Sequence, residues 1–82
     1  MANAPLEAAI AQWHQIASSA SWRNLAEVRK VYPSADSVGS YTAFNIKGNA
    51  YELIVKIEYR LQIIFVKHLL THAEYDRREW QK

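Results

Sequence analysis

The sequence contains no cysteine, and its 82 residues include only two glycines and two prolines. Without cysteine the chain can form neither a disulfide framework nor a thiolate metal site, a composition that suits a reducing cytoplasm. The longest fully apolar runs, 53–55 and 63–66, are far too short to span a membrane. The first residues also lack the basic start and apolar stretch of a signal peptide. We therefore expect a cytoplasmic protein that is not inserted in a membrane.

The residues that are present favour one small folded domain over the whole range 1–82. Half of the residues are apolar, and three Trp, five Tyr and two Phe supply large side chains for a core. A domain of this size buries only about 60% of its unfolded surface, so its stability margin is thin. The formal net charge is +2 and arises within residues 47–82, which hold seven basic and five acidic side chains. This excess is too small to identify a nucleic-acid-binding protein by itself.

The first half of the chain has the apolar spacing of two helices. Apolar residues recur at intervals of three and four along 5–20, which predicts an amphipathic helix with a proline in its first turn. The same spacing along 22–32 predicts a second helix, which Ser21 would cap and Pro33 would end. Together they predict a helical hairpin.

The second half changes to the alternation of a β-meander. A polar connector at 34–40 is expected to lead into a strand at 42–46, a tight turn at 47–49 and a second strand at 51–59. This second strand has one apolar face and one mostly polar face, which indicates a half-buried strand. A third strand is predicted at 62–70.

The end of the chain is predicted to place the third strand centrally and to add a short helix. The strand is apolar on both faces apart from Lys67 and His68, which is typical of a more central strand. Thr71 is placed to cap a last helix that runs to Trp80. The predicted fold is therefore α+β, with an N-terminal helical hairpin packed on a small antiparallel meander and a short C-terminal helix.

Groups capable of proton transfer are concentrated at 71–76, directly after the strand that carries Lys67. An unperturbed imidazole can gain or lose a proton near neutral pH, which makes His72 the candidate proton-transfer group, and Tyr75 and Asp76 follow it within about one helical turn. Lys67 or Arg77 could neutralise a nearby anion. Such a set suits RNA cleavage by attack of the 2′-hydroxyl on the adjacent phosphate, a reaction that requires no metal and no cofactor.

Spacing alone leaves structural interpretations of the same residues open. His72 could be a solvated or capping residue, and Tyr75 could serve packing alone. His72 and Asp76 at i, i+4 could share a metal ion, but two ligands without a third or fourth do not make a zinc site. The sequence contains no Gly-rich phosphate loop and no nucleophile elbow, so the enzyme classes that depend on them are excluded.

Three blocks of the sequence resemble the HigB toxins, a family of the RelE superfamily in bacterial type II toxin–antitoxin systems. The blocks are Phe44-Asn45-Ile46-x-Gly48-Asn49, Tyr51-x-Leu53-Ile54-Val55 and Thr71-His72-Ala73-Glu74-Tyr75-Asp76. The resemblance implies a RelE-like microbial ribonuclease fold and endonucleolytic cleavage of mRNA, commonly on the translating ribosome. It also implies neutralisation by a HigA-type helix-turn-helix antitoxin. The toxin would then contact operator DNA only through this antitoxin.

On the pattern of this family, His72, Tyr75, Asp76 and Lys67 are the expected catalytic residues. We expect Lys56, Asn45 and Arg77 to contact RNA, and we expect no cofactor and no metal.

One position departs from the family pattern. Family members usually carry Arg where this chain has Glu52, and a carboxylate facing the cleft would oppose binding of phosphate. This departure motivates an alternative, a catalytically weakened homologue that acts as an antitoxin-binding or co-repressor subunit. A generic RNA-binding module is a third hypothesis, which accounts for the basicity but not for the His72–Asp76 cluster.

Overall fold

The computed structural model describes residues 4–46 and 50–77, with side chains from residue 6 onward. It confirms the α+β class predicted from the sequence. The elements, in chain order, are α1 (Ala4–Ser19), α2 (Leu25–Val31), β1 (Asp36–Val38), β2 (Tyr41–Ile46), β3 (Tyr51–Glu58), β4 (Ile63–Thr71) and α3 (His72–Arg77). The predicted turn at 47–49 and the predicted continuation of the last helix from 78 to Trp80 lie outside the described residues. Within those residues, no helix is both long and apolar enough to cross a membrane.

The four strands form an antiparallel meander in the order β1-β2-β3-β4. The prediction of a more central third strand was wrong, because β4 lies at the edge of the sheet and exposes much of its apolar surface. The prediction of a polar connector at 34–40 was also wrong in part, since Asp36–Val38 form the strand β1. A tight turn follows β1, and Gly39 adopts there the left-handed φ of 61° that favours glycine.

The second helix starts later than predicted. Asn24, not Ser21, is its N-cap: the Asn24 backbone is extended, and its side-chain oxygen accepts a hydrogen bond from the Glu27 N–H at 3.0 Å. Trp22 therefore precedes the helix and contributes its buried ring to the core from an irregular segment. Both residues are good caps, and the apolar spacing alone could not choose between them.

One face of the sheet, called here the α1 face, carries the larger core. Phe44 of β2 is fully buried at its centre. Its ring centroid lies 5.5 Å from that of Trp13 in α1, 6.2 Å from that of Trp22 and 5.3 Å from that of Tyr32. Leu53 of β3 belongs to the same cluster. Aromatic pairs at these separations add to the stabilisation that burial provides.

The opposite face, called here the α3 face, carries a smaller cluster under the last helix. Val38, Ala43, Ile54 and Tyr75 form this cluster, so three strands contribute to the surface that α3 covers. The half-buried strand predicted from the sequence is more deeply buried than expected, because Glu52 and Ile54 of its mostly polar face are both buried. The short helix α3 packs over these two positions. The sequence predicted this helix, but the strand pattern did not show which face of the sheet it would cover.

Candidate active site on the α3 face

The start of α3 is fixed by a reciprocal pair of hydrogen bonds at the end of β4. The Thr71 N–H donates to Glu74 Oε1 at 2.9 Å, and the Glu74 N–H donates to Thr71 Oγ1 at 3.3 Å. This capping box confirms the predicted role of Thr71. The bond from the Thr71 N–H also lowers the pKa of the Glu74 carboxyl. As a result His72 is held as the first residue of the helix, at the edge of the sheet.

His72 lies between two carboxylates. Its Nδ1 is 3.8 Å from Glu52 Oε2 on β3, and its Nε2 is 3.5 Å from Asp76 Oδ2 one helical turn along α3. The imidazole and Asp76 are largely exposed, whereas the Glu52 carboxylate is buried. Asp76, which the sequence places within about one helical turn of His72, thus lies beside the imidazole. The exposed imidazole can exchange protons with a ligand while the two carboxylates restrict its orientation.

Glu52 faces the site, as its position on the polar face of the strand suggested. Only 5% of the residue is exposed, and its register partners are Asn45 on β2 and Leu70 on β4. Burial raises the pKa of the Glu52 carboxyl, the neighbouring His72 opposes this rise, and the charge of Asp76 adds to it. A carboxylate thus stands beside the candidate catalytic imidazole.

Tyr75 contributes mainly apolar surface to this region. The residue is 9% exposed and belongs to the cluster with Val38, Ala43 and Ile54. Its burial anchors α3 on the sheet, and it thereby helps to hold His72 and Asp76 in place. Arg77 lies exposed in the last turn of the helix, close enough for its charge to act on Glu74.

The two strand lysines lie further along the same face. Lys56 is paired in register with Phe65 of β4, and its ammonium is 3.9 Å from Glu58 Oε2. The ammonium of Lys67 lies 5.6 Å from the centroid of the Phe65 ring. Lys67 itself has no register partner, because Ile54 pairs with His68 and the next pair along the ladder joins Val55 to Val66. Lys67 is thus the extra residue of a β-bulge, a device that redirects side chains.

The bulge also brings a residue to this face that the sequence did not single out for a role. His68 is paired with Ile54, whose side chain is buried under α3, so the two residues share a face. Asn45 shares that face as the partner of Glu52. Strict alternation along β4 would have put Lys67 and His68 on opposite faces. No signal in the sequence marks the bulge, and for this reason His68 was overlooked.

The predicted residues therefore share one surface. His72 and Asp76 lie beside the buried Glu52, Asn45 adjoins that carboxylate on the next strand, and Lys56 and Lys67 flank Phe65 along the sheet. Within residues 4–46 and 50–77, no three His, Asp or Glu side chains are arranged to hold a metal ion. Chemically, the surface offers an exposed proton-transfer group and cations that can contact an anion.

Comparison with known proteins identifies the family. No curated protein matched the chain. A family model of HigB toxins, described as RelE-like toxic components of toxin–antitoxin systems, matches residues 6–78 and so spans nearly the entire sequence. The match includes every predicted site residue, and the α+β fold with a four-stranded antiparallel sheet is compatible with a RelE-like toxin. The chain therefore belongs to the HigB toxin family.

Proposed function

We propose that this toxin is an endoribonuclease that cleaves mRNA on the translating ribosome, with its active site on the α3 face. The observation that carries the proposal is the placement of His72: an exposed imidazole at the start of α3, held between Glu52 and Asp76. RelE-like toxins generally act as ribonucleases, and the family match covers the residues concerned.

The proposed reaction needs one proton acceptor, one proton donor and stabilisation of negative charge. The acceptor removes the proton of a ribose 2′-hydroxyl, whose oxygen attacks the adjacent phosphorus. The bond from phosphorus to the 5′-oxygen breaks, and the donor protonates that leaving oxygen. The products are a 2′,3′-cyclic phosphate and a free 5′-hydroxyl. His72 is one of the two proton-transfer groups, Asp76 and Tyr75 position or assist it, and Lys67 stabilises the charge on phosphate.

RNA would run along the α3 face from α3 toward the Phe65 region of β4. Lys56 and Asn45 would contact its backbone or bases from the strands, and Arg77 from the helix. The family also has an antitoxin partner, and we propose that it is a HigA-type helix-turn-helix protein. Contact with operator DNA would then be made through the antitoxin.

A second candidate function follows from Glu52. A buried carboxylate at 3.8 Å from His72 repels an approaching phosphate. A homologue weakened in this way would still bind its antitoxin and act as a co-repressor subunit. The two candidates differ in one property, cleavage of RNA.

RNA cleavage by the purified toxin, measured on translating ribosomes and on free mRNA, tests the proposal. The chain offers a matched control, since His14 is exposed on α1, on the other side of the sheet. We expect His72→Ala to reduce the cleavage rate by about 10²- to 10⁴-fold and His14→Ala to leave it unchanged. Circular dichroism spectra should show both variants folded.

Equal cleavage by wild type and His72→Ala would remove His72 from the mechanism. Absence of cleavage by the wild type, with cleavage gained in Glu52→Arg, would instead establish the weakened homologue.

A further inference from the structure

The outer edge of β4 is exposed and apolar on both faces of the sheet. Val66 is 59% exposed on the α1 face, where it is paired with Val55, and Leu69 lies on the same side. Ile63 and Phe65 are exposed on the opposite side. Among the described strands, β3 alone pairs with β4, so the other edge of this nine-residue strand presents its backbone groups outward. Proteins normally cover, shorten or charge such an edge.

On the α1 face this edge borders a groove between β4 and α1. One cavity there has a volume of about 440 Å³ and is lined by Ile10, Trp13, Leu53 and Val66, among others. A neighbouring cavity of about 190 Å³ shares Trp13 and Val66. Trp13 is buried, and its indole N–H has no hydrogen-bond partner among the described residues. The groove therefore offers mainly apolar side chains to an occupant, whereas the indole nitrogen is enclosed by the protein.

The charge on the edge argues against a second copy of the chain as the occupant. Lys67 is the only formally charged residue of β4 and is the middle residue of Ile63–Thr71. If two copies paired antiparallel over the entire strand, Lys67 of one copy would lie opposite Lys67 of the other. Like charges directly opposite each other are destabilising. A partner strand with a carboxylate at this position would instead form an ion pair.

We propose that the edge of β4 and the adjoining groove are the docking site for an extended segment of the antitoxin, which adds to the sheet as a fifth strand. The segment carries apolar residues at alternate positions and an acidic residue opposite Lys67. Its backbone pairs with the edge of β4, and its inward side chains fill the groove beside Trp13. The inference rests on the antitoxin partner implied by the family and not on RNA cleavage.

The proposed arrangement leaves the His72 imidazole uncovered, because the groove and α3 lie on opposite faces of the sheet. On the α3 face the antitoxin segment would lie beside Ile63, Phe65 and Lys67, away from the start of α3. Lys67 would then be shared between the antitoxin carboxylate and the RNA phosphate, so binding of one would weaken binding of the other.

Hydrogen exchange and affinity measurements test the proposal, with the product of the gene adjacent to the toxin gene as the antitoxin probe. Amides of 63–70 should exchange at least about tenfold more slowly in the complex than in the toxin alone. Val66→Glu places a charge in the proposed interface and should weaken antitoxin binding by at least about tenfold. Leu61→Glu is the matched control, because Leu61 is 68% exposed and lies in the turn before β4. This variant should bind the antitoxin with the affinity of the wild type.

Three results would overturn the proposal. The first is unchanged exchange at 63–70 in the complex. The second is wild-type affinity of a folded Val66→Glu variant. The third is protection of these amides in the toxin alone, together with a concentration-dependent dimer, which would assign the edge to a second copy. Loss of RNA cleavage in any variant bears on the proposed ribonuclease and not on this interface.

Discussion

The two faces of the sheet are built differently. The α1 face is covered by two helices and filled by a cluster of aromatic rings around Phe44, whereas the α3 face is covered by one six-residue helix and a small apolar cluster. The α3 face also carries the buried Glu52 and the exposed His72. The comparison indicates that one face supplies most of the buried apolar surface and that the other carries the proposed active site. Substitutions on the two faces should therefore separate folding from activity.

The largest effect is expected from Phe44→Ala on the α1 face. The substitution removes a fully buried ring that contacts three other aromatic rings, so we expect the free energy of unfolding to fall by about 3–5 kcal/mol. In a domain this small, such a loss leaves a large part of the population unfolded. Urea denaturation followed by Trp fluorescence measures it. A loss below about 1 kcal/mol would show that the aromatic cluster isn't the main core.

A smaller effect is expected from Thr71→Ala, which removes one half of the capping box of α3. We expect a loss of about 1 kcal/mol in the free energy of unfolding. RNA cleavage should fall further than this stability loss explains, because the box positions His72. Thr71→Ser keeps the hydroxyl and is the control that should retain both properties. Equal, small effects on cleavage from the two substitutions would contradict a positioning role for the cap.

Glu52→Gln should change the pH dependence of stability on the α3 face. Because burial raises the pKa of Glu52 above its value in the unfolded chain, the native state holds this proton more tightly. The contribution of Glu52 to stability is therefore greatest at low pH and declines as the pH rises through the raised pKa. We expect Glu52→Gln to be the more stable protein at pH 7, with a difference that shrinks as the pH falls toward the ordinary Glu pKa of about 4.3. Thermal unfolding from pH 4 to 7 measures this, and a difference independent of pH would contradict it.

The smallest effect is expected from Asp36→Asn. The Arg29 guanidinium lies 3.3 Å from Asp36 Oδ1, and both side chains are about half exposed or more. Exposed ion pairs contribute little, so the free energy of unfolding should change by less than about 1 kcal/mol. Arg29 also donates to the Ala35 carbonyl at 2.9 Å, a bond that the substitution preserves. A loss above about 2 kcal/mol would mean that the start of β1 depends on this pair.

Much of the fold could be predicted because α1, β2 and β3 are long enough to show a helical or strand period. The strand β1 has only three residues and its period cannot be recognised, so the segment was taken for a connector. The edge position of β4 could not be predicted from its composition. Apolar residues on both faces are typical of a central strand, and they are equally what an edge shows when another segment covers it.

The candidate site was predictable where it depends on local spacing. The contact of His72 with Asp76 follows from their i, i+4 separation, and the cap at Thr71 follows from its position before the helix. The approach of Glu52 to His72 depends on the register of β3 and β4 and on the turn from β4 into α3. The position of Lys67 depends on a bulge. These features are set by tertiary pairing, and a single sequence does not record them.

Mapping of the RNA-binding surface tests the central claim most directly. The toxin can be titrated with a single-stranded RNA whose 2′-hydroxyls are methylated, which blocks cleavage, while amide chemical shifts are followed by NMR. We expect the shifts of Asn45, Glu52 and Lys56 to change and those of residues 10–17 on α1 to stay constant. Changes confined to α1 and its groove, or no change at the three strand residues, would contradict the assignment of RNA to the α3 face.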